Sequence, residues 1–323
     1  MLKKIQPEHK QMTFEQFLSR TPAKDYIFQE TPYEEQIRQA AEMIKDADYV
    51  LMGAGAGISA AAGARYGGQF FKEHFGEFIE KYGSSYRQDM YSAGFYPYPD
   101  EESKWGYWSK HALLAGVDLD VTPLYRKLLE ALEGKNSFLL STNVDDQFLR
   151  AGYPAERIFA TQGSYSRIQC KKGCHPKTYD GAGLFRQMDQ ARKDCKVPSY
   201  MVPKCPVCGG LMEMNLRSDN NFVQDEAWYA AEKRFGDFLS ECMDKKTALL
   251  ELGVGFNTPT IIRFPFEKLV REHKNICLIR LNLNEAVVPE SFGNRAVGIN
   301  ADMAQSIRNI VQGVLPGQHI CGE

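Results

Sequence analysis

No run of apolar residues in the 323-residue sequence approaches the roughly 18 that a membrane-crossing helix needs. Residues 1–10 hold no apolar core of signal-peptide length, so a cytoplasmic location is expected. Blocks of one charge sign are missing too: 39 Lys plus Arg stand against 41 Asp plus Glu, a formal charge of −2. That removes the electrostatic footprint of a nucleic-acid binder, and neither nucleic acid nor a membrane is expected as a partner. Eight cysteines are too few for a disulfide scaffold in a chain of this length. Internal repeats and low-complexity tracts are absent. What is left, with 43% hydrophobic residues, is a globular chain with a substantial core, one large α/β unit or two domains.

The elements follow from periodicity. Thr31-Pro32-Tyr33-Glu34 reads as a helix start, and Ile37, Ala40, Ala41 and Ile44 follow at helical spacing. Strands are expected at Tyr49–Met52, Ser137–Ser141, Arg157–Ala160, Thr247–Leu252 and Ile276–Leu281. Helices are expected after Thr122-Pro123, after Thr258-Pro259 and over Asp302–Val311. Strands alternating with helices, joined by connections too long for hairpins, predict a doubly wound parallel sheet of Rossmann-like α/β type. Two stretches break the pattern. Residues 65–120 are aromatic-rich and predict a helical insertion with a small core of its own. Residues 166–245 are rich in cysteine, glycine and lysine.

Two features carry chemistry. After Asp48-Tyr49-Val50-Leu51-Met52 the chain breaks into Gly53-Ala54-Gly55-Ala56-Gly57-Ile58-Ser59, a strand, a tight turn and a helix start. With no side chains in the turn, a pyrophosphate can approach backbone N–H groups at a helix N-terminus, so a dinucleotide site is expected; close packing is the competing explanation. The second feature is a pair of cysteine knuckles, Cys170-Lys171-Lys172-Gly173-Cys174 and Cys205-Pro206-Val207-Cys208. Four thiolates close a tetrahedral site with no open position, which favours structural zinc, with His175 or Cys195 as candidate replacements for one ligand.

The glycine turn, the knuckles, and Ser141-Thr142-Asn143-Val144-Asp145 with Ala151-Gly152 after it resemble the sirtuin family in composition and order. That resemblance implies NAD as co-substrate beside zinc held by Cys170, Cys174, Cys205 and Cys208. It implies that Gly53, Ala54, Gly55, Ala56 and Ser59 hold the phosphate region, and that Asn143 and Asp145 line the nicotinamide end. Gly253 and Asn282 then serve the adenosine side, with Val254, Gly255 and Ala301 beside them. It divides the chain into an NAD-binding domain (1–64, 121–165 and 246–323), the helical insertion, and a zinc-binding small domain (166–245).

The chain departs from the family where the family carries its catalytic His-Gly. Here stand Thr161-Gln162-Gly163, and an amide cannot take a proton from a ribose hydroxyl as an imidazole can. Gly63-Ala64-Arg65-Tyr66 and Asn215-Leu216-Arg217 also replace family substrate segments, making Arg65, Tyr66, Tyr165 and Arg217 secondary candidates. The combination resembles the macrodomain-linked microbial sirtuins. It implies mono-ADP-ribosylation of a protein acceptor by Asn143, Asp145 and Gln162, the acceptor being a lipoylated glycine-cleavage H-like carrier in an oxidative-stress response. The alternatives are a weak deacylase or NAD hydrolase of the same fold, or a non-catalytic NAD sensor.

Overall fold

The computed structural model describes residues 16, 25–83, 86, 89–256 and 259–315. The N-terminal stretch 1–10 and Thr258 lie outside the described residues. Eleven strands are described: β1 (Tyr26–Ile27), β2 (Tyr49–Ala54), β3 (Asn136–Ser141), β4 (Ile158–Ala160), β5 (Gly163–Cys170), β6 (Thr178–Asp180), β7 (Met212–Leu216), β8 (Thr247–Leu252), β9 (Ile276–Leu281), β10 (Val288–Pro289) and β11 (Ala296–Ile299). Six of them form one sheet in the order β11-β9-β8-β2-β3-β4, every neighbouring pair parallel.

The near-continuous apolar strands are explained by helices on both faces. Ile37, Ile44, Leu124, Leu128, Ile307 and Ile310, from helices Tyr33–Asp46, Thr122–Glu130 and Met303–Val314, build one core. Phe235, Phe238, Phe266 and Val270, from helices Glu226–Cys242 and Arg263–Glu272, build the other. Helix starts differ in detail from the sequence reading. Pro32 flanks the first helix without a side-chain cap, and Thr122 is already helical, its Oγ1 donating to Asp120 Oδ1 at 3.0 Å. Asp302 does cap its helix, accepting from Gln305 N at 2.7 Å.

A smaller lobe carries the antiparallel sheet β6-β5-β7. The aromatic insertion forms helices Gly68–Tyr82, Met90–Gly94 and Glu101–Ala112; Phe71, Phe75, Phe78 and Tyr107 from these, with Tyr86 between the first two, make a core of their own. Helix Glu101–Ala112 joins this core to the small sheet, since Trp105 packs with Phe185, Ile168 and the buried Cys170 and Cys205. Helix Glu226–Cys242 follows the small sheet in sequence but packs on the large one, placing Phe235 against Phe138 and Phe159. None of the described helices is long and apolar enough to cross a membrane.

Candidate active site at the C-terminal edge of the sheet

The chain runs from β2 outward to β3 and β4, then returns to lay β8 on the other side of β2. This leaves a topological switch point between β2 and β8, where crevices form beyond the strand ends in open α/β sheets. The glycines meet there. Gly55 N donates to Leu252 O and Gly57 N to Gly253 O, each at 3.0 Å. A Cβ on Gly55 would sit 2.6 Å from Gly253 O, and one on Gly57 2.6 Å from Gly253 Cα. Gly253 itself has φ +60°, which an L side chain rarely adopts. The turn is therefore a glycine-to-glycine backbone junction, and close packing accounts for these residues without a ligand. Two N–H groups of the turn are spent on β8, while Ala56, the first helical residue, is exposed. The helix it starts, Ala56–Ala61, has six residues, so the dipole contribution expected there is small. Gly53 and Ala54 face inward: a Cβ on Gly53 would lie 2.8 Å from the Phe266 ring, and Ala54 has no exposed surface.

Beyond β3, backbone and side chains converge on Ser59. Thr142 N donates to Ala54 O at 3.0 Å, pinning the loop to β2. Asn143 Nδ2 donates to Gly55 O at 3.0 Å and reaches Ser59 Oγ at 3.3 Å. Ser59 Oγ donates to Asp145 Oδ2 at 2.5 Å, while Gln147 N donates to Oδ1 at 3.2 Å. Asp145 is 6% exposed, and no lysine or arginine pairs with it among the described residues. Burial raises its pKa above the usual aspartate value, opposed by the Ser59 hydroxyl. Tyr66 and Tyr165 stand close enough for the Asp145 charge to act on them: burial, then that charge, pushes the Tyr66 phenol well above its ordinary range, and burial, then Tyr66, then Asp145 do the same to Tyr165. The result is a buried carboxylate held by one hydroxyl and one backbone N–H, with no cation paired to it among the described residues.

Gln162 lies between β4 and β5, its Nε2 donating to Thr161 Oγ1 at 3.2 Å. Arg217 N donates to Gln162 O at 3.0 Å and Arg217 Nε to Thr161 O at 3.2 Å. The Arg217 guanidinium lies over the Phe222 ring at 4.3 Å, and burial lowers its pKa. Arg65 is exposed. Tyr165 is fixed by its own N–H, which donates to Val144 O at 2.7 Å. The neighbouring Asp146, at φ +55°, accepts from Ser164 and Ser166, so the Asn143–Asp146 loop grips both sides of Tyr165.

At the ends of β8 and β9, Asn282 Nδ2 donates to Val254 O at 3.0 Å, bringing Val254 and Asn282 together beside Gly253. Gly255 is half-buried and opens toward Glu285 Oε2, 3.5 Å from a Cβ placed there. Ala301 lies past the end of β11 and packs on the core. Two residues here escaped the sequence reading. Arg263 Nη2 donates to both Val254 O (3.1 Å) and Glu285 O (2.8 Å), clamping the two loops. Tyr125 OH lies 2.9 Å from Ser59 Oγ, on a helix whose stripe reads as plain core. A tyrosine in such a stripe is the available signal, because a buried phenol needs a polar partner.

In the small lobe the four cysteine sulfurs lie within 4.8 Å of one another, an arrangement able to hold a metal such as zinc. Gly173 (φ +56°) and Gly209 (φ +69°) make the knuckle turns. His175 stands beside this set, Nδ1 3.1 Å from Cys174 Sγ and Nε2 2.8 Å from Tyr179 OH. Cys195 is buried in the aromatic core and takes no part.

No family model matches the chain. It is 34% identical over 278 residues to a "Protein ADP-ribosyltransferase" of Staphylococcus aureus, covering 85% of this chain and 87% of that protein. It is 35% identical over 263 residues to a Fusarium oxysporum f. sp. cubense protein called "Probable bifunctional ADP-ribose hydrolase/ADP-ribosyltransferase", 77% of this chain but 43% of the fungal one. Among solved structures, Sir2Tm bound to a propionylated peptide superposes with a TM-score of 0.54 at 18% identity, over 86% of this chain and 99% of that one. A Sir2 homologue in complex with NAD gives 0.51 at 16%, over 90% and 98%. At those identities the structures establish the fold, and the bacterial relative establishes the family. The chain belongs to the sirtuin-type protein ADP-ribosyltransferases.

Proposed function

We propose that this enzyme binds NAD along the C-terminal edge of the large sheet, cleaves the nicotinamide–ribose bond with release of nicotinamide, and transfers ADP-ribose to a protein side chain. The observation that carries this reading is Asp145, a buried carboxylate with no cationic partner among the described residues, held beside Asn143. The nicotinamide ring of NAD is cationic and leaves as a neutral amide, so positive charge passes to the ribose as the bond breaks. A preorganised carboxylate in a dry site stabilises that charge more than it would in water. Asn143, with its amide nitrogen committed to Gly55 O, presents its oxygen for a ribose hydroxyl or a water. Gln162 orients the ribose or the acceptor by hydrogen bonding and takes no proton. The proton of the attacking acceptor group goes to solvent. Gly55 and Ala56 serve the phosphate region, whereas the wholly buried Ser59 spends its hydroxyl on Asp145 instead of a phosphate; Gly253, Val254, Gly255, Asn282 and Ala301 serve the adenosine side.

The acceptor we propose is a lipoylated carrier of the glycine-cleavage H type, in an oxidative-stress setting, on the strength of the family resemblance. A macrodomain hydrolase partner fits the fungal relative, whose name couples ADP-ribose hydrolase to ADP-ribosyltransferase. Mass spectrometry of products from NAD plus lipoylated and unlipoylated carrier, with Asn143→Ala and Gln162→Ala beside the parent enzyme, tests the reading. A carrier heavier by one ADP-ribose, with free nicotinamide, is expected. Free ADP-ribose alone marks a hydrolase, acyl-ADP-ribose a deacylase, and NAD binding without nicotinamide release a sensor.

A further inference from the structure

Tyr125 and Ser59 have no exposed surface, and their hydroxyl oxygens are 2.9 Å apart. Ser59 Oγ is also 2.5 Å from Asp145 Oδ2 and 3.3 Å from Asn143 Nδ2. With Asp145 ionised, donor counting fixes the direction of these contacts. An ionised carboxylate only accepts and an amide nitrogen only donates. The single serine hydrogen therefore goes to Asp145, Tyr125 and Asn143 donate to the serine oxygen, and the Tyr66 phenol stands beside them on the same hydroxyl. The chain runs Tyr125 O–H to Ser59 O–H to Asp145, each donor polarising the next.

We propose that Tyr125 is a positioning residue for ADP-ribosyl transfer, holding the Asp145 carboxylate ionised and oriented through Ser59. The proposal rests on the reading that Asp145 acts at the nicotinamide ribose. The fold grips this unit from two helices. Helix Thr122–Glu130 supplies Tyr125, whose ring meets Phe148 edge-on at 4.8 Å and 89°. Phe148 sits on helix Gln147–Arg150, whose first N–H donates to the other Asp145 oxygen. One carboxylate oxygen is thus held by Ser59 of helix Ala56–Ala61, backed by Tyr125, and the other by the start of helix Gln147–Arg150, which leaves the carboxylate little freedom to rotate.

The groups facing Asp145 come from every element around it: Tyr125 from its helix, Tyr66 from the loop after Ala56–Ala61, Tyr165 from β5, and Asp146 from its own loop. Burial keeps the three phenols protonated far above neutrality, so only Asp146 shares the acid titration with Asp145. Donors to a carboxylate favour its ionised form, and removing one raises its pKa.

The test is Tyr125→Phe, which removes one oxygen, beside Tyr153→Phe. Tyr153 OH donates to Ser137 Oγ at 2.9 Å, a buried tyrosine–serine bond of the same kind whose hydroxyl is bonded outside the Ser59–Asp145 unit, while its ring also meets Phe148. Tyr125→Phe is expected to leave NAD affinity within about twofold, to slow nicotinamide release about tenfold at neutral pH, and to move the acid limb of its pH profile up by roughly half a unit or more. Tyr153→Phe is expected to lower thermal stability comparably with no change in that profile. A Tyr125→Phe enzyme with the parental rate and acid limb overturns the proposal, as does a matching shift in Tyr153→Phe. NMR titration of the Asp145 carboxyl reads the same displacement without turnover, and an unchanged titration in Tyr125→Phe also overturns it. If the parent enzyme releases no nicotinamide, the proposed function fails, while this titration still decides the role of Tyr125.

Discussion

Replacing Glu251 by Gln should destabilise this enzyme more than any single change on its surface. Glu251 lies on β8 with no exposed surface, together with Arg280 (0%), Arg263 (1%) and Glu267 (2%). Its Oε1 accepts from Arg280 Nε at 2.8 Å and Arg263 Nε at 3.2 Å, and its Oε2 from Arg280 Nη2 at 2.9 Å. Glu267 takes a further bond from Arg280 at 2.9 Å and one from Tyr26 OH at 2.6 Å. Two arginines and two glutamates cancel. Glu251→Gln leaves one unit of positive charge uncompensated in the core, and turns an NH₂ donor toward guanidinium donors. Breaking a buried pair in this way costs about 3–5 kcal/mol. At roughly 2–4 °C per kcal/mol for a unit of this size, the melting temperature should fall by about 6–20 °C. Glu272→Gln, which removes an exposed partner of Lys268, should cost no more than about 0.5 kcal/mol. Urea and thermal unfolding of both variants measure the difference. Arg263 also clamps the Val254 and Glu285 carbonyls, so NAD titration should show weakened binding in Glu251→Gln where the protein is still folded. A Glu251→Gln protein within about 1 kcal/mol of the parent would refute the reasoning, because it would mean that the cluster is not dry or not charge-balanced.

The remaining predictions concern the glycine junction, the metal and pH. Gly253→Ala puts a Cβ 2.5 Å from Gly57 Cα at φ +60° and should cost about 2–4 kcal/mol and most of the NAD affinity, whereas Gly134→Ala, at φ +74° in open space, should cost about 1–2 kcal/mol; calorimetry of both compares them. Elemental analysis should find one zinc per chain, and chelation under reducing conditions should redden tryptophan emission as Trp105 loses its packing on the metal lobe. Because burial raises the Asp145 pKa, nicotinamide release should fall with acid at higher pH than an ordinary aspartate would give; the same raised value makes this group's contribution to stability greatest at low pH and lost as pH rises through it. His111, wholly buried and lowered to about 3, acts oppositely: its contribution is full above about 6.5 and is lost as pH falls toward 3, so His111→Phe should flatten acid unfolding followed by circular dichroism.

Much of the large sheet was legible because strands covered on both faces write themselves as short apolar runs. Thr247–Leu252 and Ile276–Leu281 form as read, although Glu251 and Arg280 stand inside them as a register-matched buried pair that an apolar-run reading passes over. The two-residue pairing of β1 with β10 has too little pattern to be seen, and β5 to β7 are masked by the turns that place the cysteines. Helix Glu226–Cys242 lies in the cysteine-bearing stretch of the sequence, and only tertiary packing sends its phenylalanines to the large sheet. At the site, the glycines announce a tight turn, but what they accommodate is Gly253, whose partnership spans most of the chain. Tyr125 went unseen because its spacing is that of a core residue, and the hydroxyl that distinguishes it acts on a serine 66 positions away.

Only Thr161 and Gln162 separate β4 of the large sheet from β5 of the small one. Thr161 N is tied to Ser141 O on the large side, and Gln162 O to Arg217 N on the small side. The dipeptide is thus an axle with one end in each body. Both flanks of the link are braced: the Gln162 amide is held by Thr161 Oγ1, itself bonded to Ser141 O, and Tyr165 of β5 is bonded to Val144 O, so the start of the small sheet is coupled to the Asn143–Asp146 loop. A change in the cysteine-bearing lobe that tilts β5 is therefore expected to disturb the Asn143–Asp146 loop without altering any of that loop's own residues.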